Sequence, residues 1–170
     1  MLNNAAALAT LKGDYSTGLD LGTAVFPTNL SRGQNYDPGT GAGQVDKIWT
    51  DTRTIALSSS EDLDLAGVLL DAFGGTLTFA RIKAIMISAA TGNTNNVIVG
   101  GVAAGLSTLI LPQTTGQVVV RPGGGFMAWC GGADATGYLV TATTADLLHV
   151  ANSGAGTSVT YDIAVMGCSA

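Results

Sequence analysis

Apolar and polar positions alternate in short runs from Gln44 onward, and residues that favour turns separate these runs. The last run is the clearest, since Val159, Tyr161, Ile163 and Val165 fall on one side and polar or small residues lie between them. A period of two indicates β-strands with one buried face. The pattern predicts strands over residues 47–57, 61–65, 76–88, 97–99, 117–121, 125–130, 138–141, 146–151 and 157–166.

Glycine-rich segments separate several of the predicted strands. Residues 121–125, 131–137 and 152–156 are rich in glycine and also hold Pro, Asn or Asp, which supply the backbone angles that tight turns need. No amphipathic helical period occurs between the runs, as a parallel α/β fold would require. Eight or nine short strands at regular spacing predict an all-β fold, an antiparallel β-sandwich of the jelly-roll type, for residues 45–170.

Residues 1–44 have a different character, with seven glycines, several Asn and Thr, and two prolines. They show no sustained period, so we expect an extended, irregular N-terminal arm with a possible short helix over Asn4–Leu11. Such a composition buries little apolar surface by itself, and its order is expected to depend on a neighbour. The Gly39–Gly43 run lacks the Lys-Ser/Thr ending of a phosphate-binding loop and is interpreted as a linker.

Charge is sparse along the chain: charged residues make up 11% and apolar residues 46%, against about 25% charged residues in a typical soluble domain. A surface so poor in charge indicates contact with other proteins. The net charge is −5, and the basic residues are scattered, so neither nucleic acid nor membrane is expected as a partner. They are Lys12, Arg32, Lys47, Arg53, Arg81, Lys83 and Arg121. The N-terminus lacks the basic start of a signal peptide, and no apolar stretch approaches the ~20 residues of a membrane span, so synthesis in the cytoplasm is expected.

Candidate catalytic residues are few. His149 is the only histidine and falls in a predicted strand, where we interpret it as a surface or hydrogen-bonded filler. Asp62 and Asp64 lie two apart on a strand and could begin a calcium or glycosidase site, but a solvated strand face is favoured. The Gly105–Leu109 segment lacks the closing glycine of a nucleophile elbow. We therefore expect no catalytic residue, no cofactor and no metal.

Cysteines and aromatic residues complete the candidates. Cys130 and Cys168 are too few for a disulfide framework and are interpreted as two small buried apolar residues. Five aromatic residues could form a sugar-stacking platform if they clustered on one surface. They are Trp49, Trp129, Tyr36, Tyr138 and Tyr161. Trp129 lies in an apolar run and is expected in the core, whereas Trp49 lies between charged residues and is the candidate for an exposed or interfacial aromatic.

About two thirds of the chain, from Ser60 to Ala170, resembles small β-rich structural proteins of tailed bacteriophages. The resemblance rests on the strings Glu61-Asp62-Leu63-Asp64-Leu65-Ala66-Gly67, Ala90-Thr91-Gly92-Asn93-Thr94-Asn95-Asn96-Val97, Val119-Val120-Arg121-Pro122-Gly123-Gly124, Ala145-Asp146-Leu147-Leu148 and Asn152-Ser153-Gly154-Ala155-Gly156-Thr157. It implies a virion component that decorates or cements the capsid surface, often as a trimer, by binding the major capsid protein.

Three hypotheses follow. The first is a non-enzymatic capsid decoration protein whose residues 1–44 reach the shell or neighbouring subunits. The second is a tail, baseplate or fibre-associated module that binds a host surface carbohydrate through exposed aromatic residues such as Trp49. The third is a hydrolase that acts through Asp62 and Asp64 or His149.

Overall fold

The computed structural model describes residues 2–103, 105–106 and 115–170, and every regular element in them is a strand. Fourteen strands follow one another along this part of the chain. They are β1 (Ala5–Leu19), β2 (Gly22–Pro38), β3 (Gln44–Val45), β4 (Lys47–Ile55), β5 (Ser60–Asp64), β6 (Leu69–Leu70), β7 (Thr76–Leu77), β8 (Arg81–Ala89), β9 (Val97–Gly100), β10 (Gln117–Val120), β11 (Gly125–Trp129), β12 (Tyr138–Leu139), β13 (Leu147–Asn152) and β14 (Val159–Cys168).

Two antiparallel sheets form the body of the protein. The first has the order β11-β8-β14-β4, with β12 also paired to β8, and the second has the order β10-β9-β13-β5. Both sheets contribute to one buried cluster, in which Tyr161 and Ile163 of the first sheet lie with Leu148 and Val150 of the second. The predicted all-β, sandwich-like fold is thus confirmed.

Strand positions in the body agree closely with the alternating pattern of the sequence. Val159, Tyr161, Ile163 and Val165 are all buried, and the residues between them are not. The predicted strand over residues 76–88 is in fact two strands, because the backbone leaves the extended pairing at Thr78–Ala80 between β7 and β8. The division of the chain into residues 1–44 and 45–170 stays a prediction.

The N-terminal segment differs from the expected irregular arm. Strands β1 and β2 pair antiparallel without a bulge from Ala5↔Tyr36 to Leu19↔Gly22, and Asp20 and Leu21 form the turn between them. The short helix expected over Asn4–Leu11 is therefore wrong. Each of the two strands has an unpaired edge over most of its length. Glycine and proline are tolerated in such edge strands, because a proline without an N–H removes no hydrogen bond at an unpaired edge. We call Ala5–Pro38 the hairpin arm.

Strand β14 is irregular near its end. Its register against β8 shifts between Met166 and Gly167, and a Cβ atom on Gly167 would overlap the carbonyl oxygen of Arg81. Only a residue without a side chain fits where these two backbones approach so closely.

Within the part of the chain that the structure describes, no helix is long and apolar enough to cross a membrane.

Candidate functional site

The base of the hairpin arm is attached to the outer side of the first sheet. Ala5, Ala7 and Tyr36 are buried there together with Val45 and Ala84, in a cluster separate from the main core. Partly buried residues of the arm's start and of the outer sheet face pack around it: Leu2, Met127, Trp129 and Met166. The outer face of this sheet is thus apolar where the arm begins, and the arm covers it.

Tyr36 fixes this attachment through its hydroxyl group. The phenolic oxygen lies 2.7 Å from the carbonyl oxygen of Cys130 and 3.1 Å from that of Lys83. Burial, followed by the proximity of the Cys130 thiol, raises the pKa of Tyr36 to about 12. The hydroxyl therefore stays protonated and able to donate at any physiological pH.

Beyond its base, the hairpin arm leaves the body. Every residue from Thr10 to Gly33 is exposed. At about 3.4 Å per residue, the fifteen residues of β1 span about 50 Å. The arm is therefore a projection whose outer two thirds are exposed and form no hydrogen bond to the body among the described residues.

The two faces of the arm differ in chemistry. In an antiparallel pair, residues opposite each other point to the same side, so the face that is buried at Ala5, Ala7 and Tyr36 continues outward. We call its outer part the apolar face, and its large side chains are Leu11, Tyr15, Leu19, Phe26 and Leu30. The opposite face mixes Leu8 and Val25 with polar residues, namely Thr10, Lys12, Asp14, Ser16, Asn29, Ser31 and Asn35.

The large side chains of the apolar face are open to solvent: Leu11 is 74% exposed, Tyr15 80% and Phe26 70%. A two-stranded hairpin is at best marginally stable alone in water, and unpaired strand edges readily pair with other chains. Contiguous apolar surface of this kind marks an interaction site. The arm is therefore the strongest candidate functional site of the molecule.

His149 and Asp62 lie directly opposite each other on β13 and β5, on the outward side of the second sheet. The Nδ1 atom of His149 is 2.5 Å from Oδ1 of Asp62. Among the described residues, neither side chain contacts a third polar side chain that could act as nucleophile. Asp64 accepts a hydrogen bond of 2.8 Å from the backbone N–H of Ala66 instead of joining the pair. The structure thus brings together two of the three candidate catalytic residues, in a cross-strand pair of a kind that stabilises sheets.

A second group of charged residues includes Glu61, which precedes Asp62 in the sequence and points to the opposite, inward side of the sheet. Arg53 contacts Glu61 through Nε at 2.6 Å and Asp51 through Nη1 at 2.8 Å, and the hydroxyl of Tyr161 is 3.1 Å from Glu61. Hydrogen bonding to Glu61 raises the pKa of Arg53 further above its usual value. Burial, reinforced by the Glu61 charge, raises the pKa of Tyr161. The charged residues of this network pair with one another beside the core, so they require no bound substrate as a counter-charge.

Lys83 and the two cysteines are buried near the base of the arm. The ammonium group of Lys83, fully buried, donates to the carbonyl oxygen of Asp134 at 2.5 Å. Cys130 and Cys168 are free and buried, as the sequence predicts. Burial, with a smaller contribution from Asp134, raises the pKa of the Cys130 thiol to about 11. A thiol that resists ionisation is a poor nucleophile, so this group is structural.

The aromatic residues do not form the sugar-stacking platform considered from the sequence. Trp49 is 6% exposed, which corrects the expectation that it is exposed or interfacial. Its charged neighbours Lys47 and Asp51 lie on the same side of strand β4 but are only partly buried, whereas Trp49 and Ile55 are buried on that side. Trp129, expected in the core, is half-buried under the base of the arm. Tyr36 and Tyr161 are buried and Tyr138 is half-buried.

A shallow depression of about 480 Å³ lies on the outer face of the first sheet. Its lining has no aromatic residue and consists of Thr50, Asp51, Thr52, Met86, Ser88, Asp162, Ile163 and Ala164. It therefore lacks the flat apolar rings on which sugars stack.

No group of three or more His, Cys, Asp or Glu residues that could hold a metal ion occurs within residues 2–103, 105–106 and 115–170. Ser107 to Leu109, part of the segment considered as a nucleophile elbow, lie outside the described residues. Comparison of the chain with protein-family models, curated proteins and solved structures found no match.

Sequence reasoning missed Tyr15 and Phe26 as functional candidates. The signal was present, because apolar residues recur at odd positions from Ala5 to Leu11 and again at Tyr15 and Leu19. Glycines at positions 13, 18 and 22 interrupt this period of two, and the composition then resembles that of a loop.

Proposed function

We propose that the protein is a non-enzymatic structural subunit of a tailed-phage virion, a decoration protein at the capsid surface that binds the major capsid protein and its own copies, as trimers. The observation that carries this proposal is the hairpin arm, whose apolar face from Leu11 to Leu19 is about 30 Å long and is not covered by the body within the described residues. A subunit with such a face is suited to an assembly in which neighbours bury it.

The strand order supports the jelly-roll part of the proposal. Taken along the chain, the longer body strands alternate between the two sheets except at β9 and β10, with β4, β8, β11 and β14 in one sheet and β5, β9, β10 and β13 in the other. The jelly roll, the architecture that viral capsid and lectin domains share, also has eight strands in two sheets, and this likeness supports the proposal. Together with the resemblance of Ser60–Ala170 to small phage structural proteins, it favours a virion role.

The surface chemistry is consistent with protein partners. Only 11% of the residues are charged, and obligate interfaces are more apolar than ordinary protein surfaces. The cross-strand pair of His149 and Asp62 has no reactive partner among the described residues, and the aromatic residue required by the carbohydrate hypothesis, Trp49, is buried. We therefore propose no enzymatic or sugar-binding role.

The direct test uses undecorated shells of the phage that encodes this chain. Purified full-length protein is mixed with the shells, which are then sedimented and imaged by electron cryomicroscopy. We expect saturable binding and ordered density on the capsid surface. Absence of binding, or density located only in the tail, would contradict the decoration role.

A shortened arm serves as the matched variant. In it residues 10–31 are removed and Ala9 is joined to Arg32 through a two-residue Asn-Gly turn, which favours tight hairpins. The base contacts of Ala5, Ala7 and Tyr36 are retained. We expect this variant to remain folded and to lose most of its binding to shells; undiminished occupancy would mean that the arm does not carry the attachment.

A further inference from the structure

The apolar face of the hairpin arm has a relief that is complementary to itself. Along the arm, a row of large side chains, Leu11 and Leu30, is followed by a row of small ones, Gly13 and Thr28. The next large row is Tyr15 and Phe26, and the next small row is Thr17 and Ala24. Ridges therefore alternate with depressions at a spacing of two residues, about 7 Å.

A second copy of the same face fits this relief when it is displaced by one row. With the two arms antiparallel, the aromatic ridge of each copy then lies over the row of Gly13 and Thr28 of the other, and the ridge of Leu11 and Leu30 lies over the row of Thr17 and Ala24. Interdigitation of large and small side chains is how apolar surfaces reach the packing density of protein interiors. A flat or convex partner surface has no matching ridges to fill the depression at Gly13.

The charges of the arm also permit this pairing. Arg32 is the one charged residue on the side that includes the apolar face, and it lies near the base, opposite Ala9. Lys12 and Asp14 point to the opposite side. The rows that overlap after this displacement, residues 11–17 and 24–30, thus include no charged side chain, which removes the main penalty for contact between identical surfaces.

The area available is of the order that stable association needs. An aromatic side chain buries about 150–250 Å², so Tyr15 and Phe26 together offer about 300 Å² in each copy. With three leucines and the small rows between, the face approaches the ~800 Å² per partner of a standard interface. It lies on the same side of the hairpin as Ala5, Ala7 and Tyr36, which already pack against the body, and begins beyond the row of Ala9 and Arg32.

We propose that the apolar face of the hairpin arm docks against the same face of a second copy of this chain. This inference rests on the proposed structural role, because it assigns the surface through which subunits join. Two copies so joined carry their bodies at the outer ends of the paired arms, and a trimer on the capsid surface would need contacts between bodies in addition. Association through this face requires only the chain itself and is therefore measurable without shells.

Two double variants of the full chain test the proposal. Tyr15→Lys with Phe26→Lys places two charges on the apolar face, whereas Ser16→Lys with Val25→Lys places the same charges one residue away on the opposite face. Sedimentation velocity and light scattering over a wide concentration range report the oligomeric state. We expect the unmodified chain and the Ser16/Val25 variant to associate equally and the Tyr15/Phe26 variant to be monomeric, with far-ultraviolet circular dichroism unchanged in all three.

Single cysteines supply a second readout that does not depend on weakening the contact. Thr28→Cys lies in the small row of the apolar face and Asn29→Cys lies on the opposite face, while the natural thiols of Cys130 and Cys168 are buried. The two Thr28→Cys thiols then lie one row, about 7 Å, apart along the paired arms, too far for a direct disulfide, so a short bismaleimide should link two copies through Thr28→Cys and leave Asn29→Cys unlinked.

The outcomes separate this inference from the proposed function. A monomeric unmodified chain, or association unaffected by Tyr15→Lys with Phe26→Lys, overturns the docking of two arms. If such a monomer still binds shells, the arm's partner is the shell protein and the decoration role stands. If the chain associates through the arm and does not bind shells, the decoration role fails and the self-docking stands.

Discussion

The hydroxyl group of Tyr36, on the hairpin arm, is hydrogen-bonded at 2.7 Å to the carbonyl oxygen of Cys130, which follows strand β11 of the body. This buried bond joins two segments 94 residues apart in the sequence. Because the arm makes few other polar contacts with the body, the bond is expected to set how firmly the arm is attached.

Replacement of Tyr36 by phenylalanine should lower the free energy of unfolding by about 1–2 kcal/mol. The ring still fills its place among the apolar residues, but the carbonyl of Cys130 loses its donor in a buried position. Urea denaturation followed by tryptophan fluorescence measures the change. Tyr15→Phe, which removes the same atom from an exposed ring, is the control; an equal effect of both substitutions would contradict the role of the Tyr36 bond.

Stability is expected to fall as the pH rises above about 9. The folded-state pKa values of Cys130, about 11, and Tyr36, about 12, exceed their usual values of 9.0 and 10.0. Over that interval the unfolded chain releases protons that the folded chain retains, so stability present below pH 9 is lost progressively up to about pH 12. Urea midpoints measured from pH 7 to 11 report the decline. Cys130→Ala and Tyr36→Phe should each make it shallower, and an unchanged slope in both would contradict the assignment.

Glu61 and Asp62 are neighbours in sequence with opposite orientations, and their amide variants should differ in cost. Glu61→Gln weakens a partly buried ion pair with Arg53 and leaves the guanidinium short of its counter-charge, which we expect to cost about 1–2 kcal/mol. Asp62→Asn alters an exposed pair with His149 and should cost about 0.5 kcal/mol or less. Thermal unfolding of the two variants is the measurement, and an effect of Asp62→Asn equal to that of Glu61→Gln would contradict the orientation of strand β5.

Gly167→Ala should be strongly destabilising, by about 3 kcal/mol, since its methyl group would overlap the backbone of Arg81 at the register shift. Gly125→Ala is the matched control, because a Cβ there meets the carbonyl oxygen of Ile87 at 3.5 Å, an ordinary contact. Chemical denaturation of both variants tests the difference. Equal stability of the two would mean that β14 and β8 separate without cost at this point.

The body could be predicted well from the sequence because one face of each strand is buried. The alternation of Val159, Tyr161, Ile163 and Val165 is the direct record of that burial, and a shift by one residue would place all four in water. Strand order could not be predicted, since it depends on contacts between distant segments, such as the bond between Asn93 and Thr160.

The site was harder to predict than the fold. Trp49 was placed wrongly because it has charged sequence neighbours. Lys47 and Asp51 lie on the same side of the strand as Trp49, at partly buried positions, while Trp49 itself is buried. The apolar face of the arm was missed because Tyr15 and Phe26 are eleven positions apart, and only the register of the hairpin sets them side by side. The register of β13 and β5 likewise sets His149 beside Asp62, although the two residues are far apart in the sequence.

The hairpin arm passes into the body through β2 at Pro38, whereas β1 is held at the base by the packing of Ala5 and Ala7, so a pull on the tip reaches the body through the backbone of β2. The hydrogen bonds between β1 and β2 lie across the direction of such a pull and need not break for the load to pass. Rupture would therefore occur where the arm is anchored, at the base or at the tip, and the span between behaves as a tether of nearly constant length.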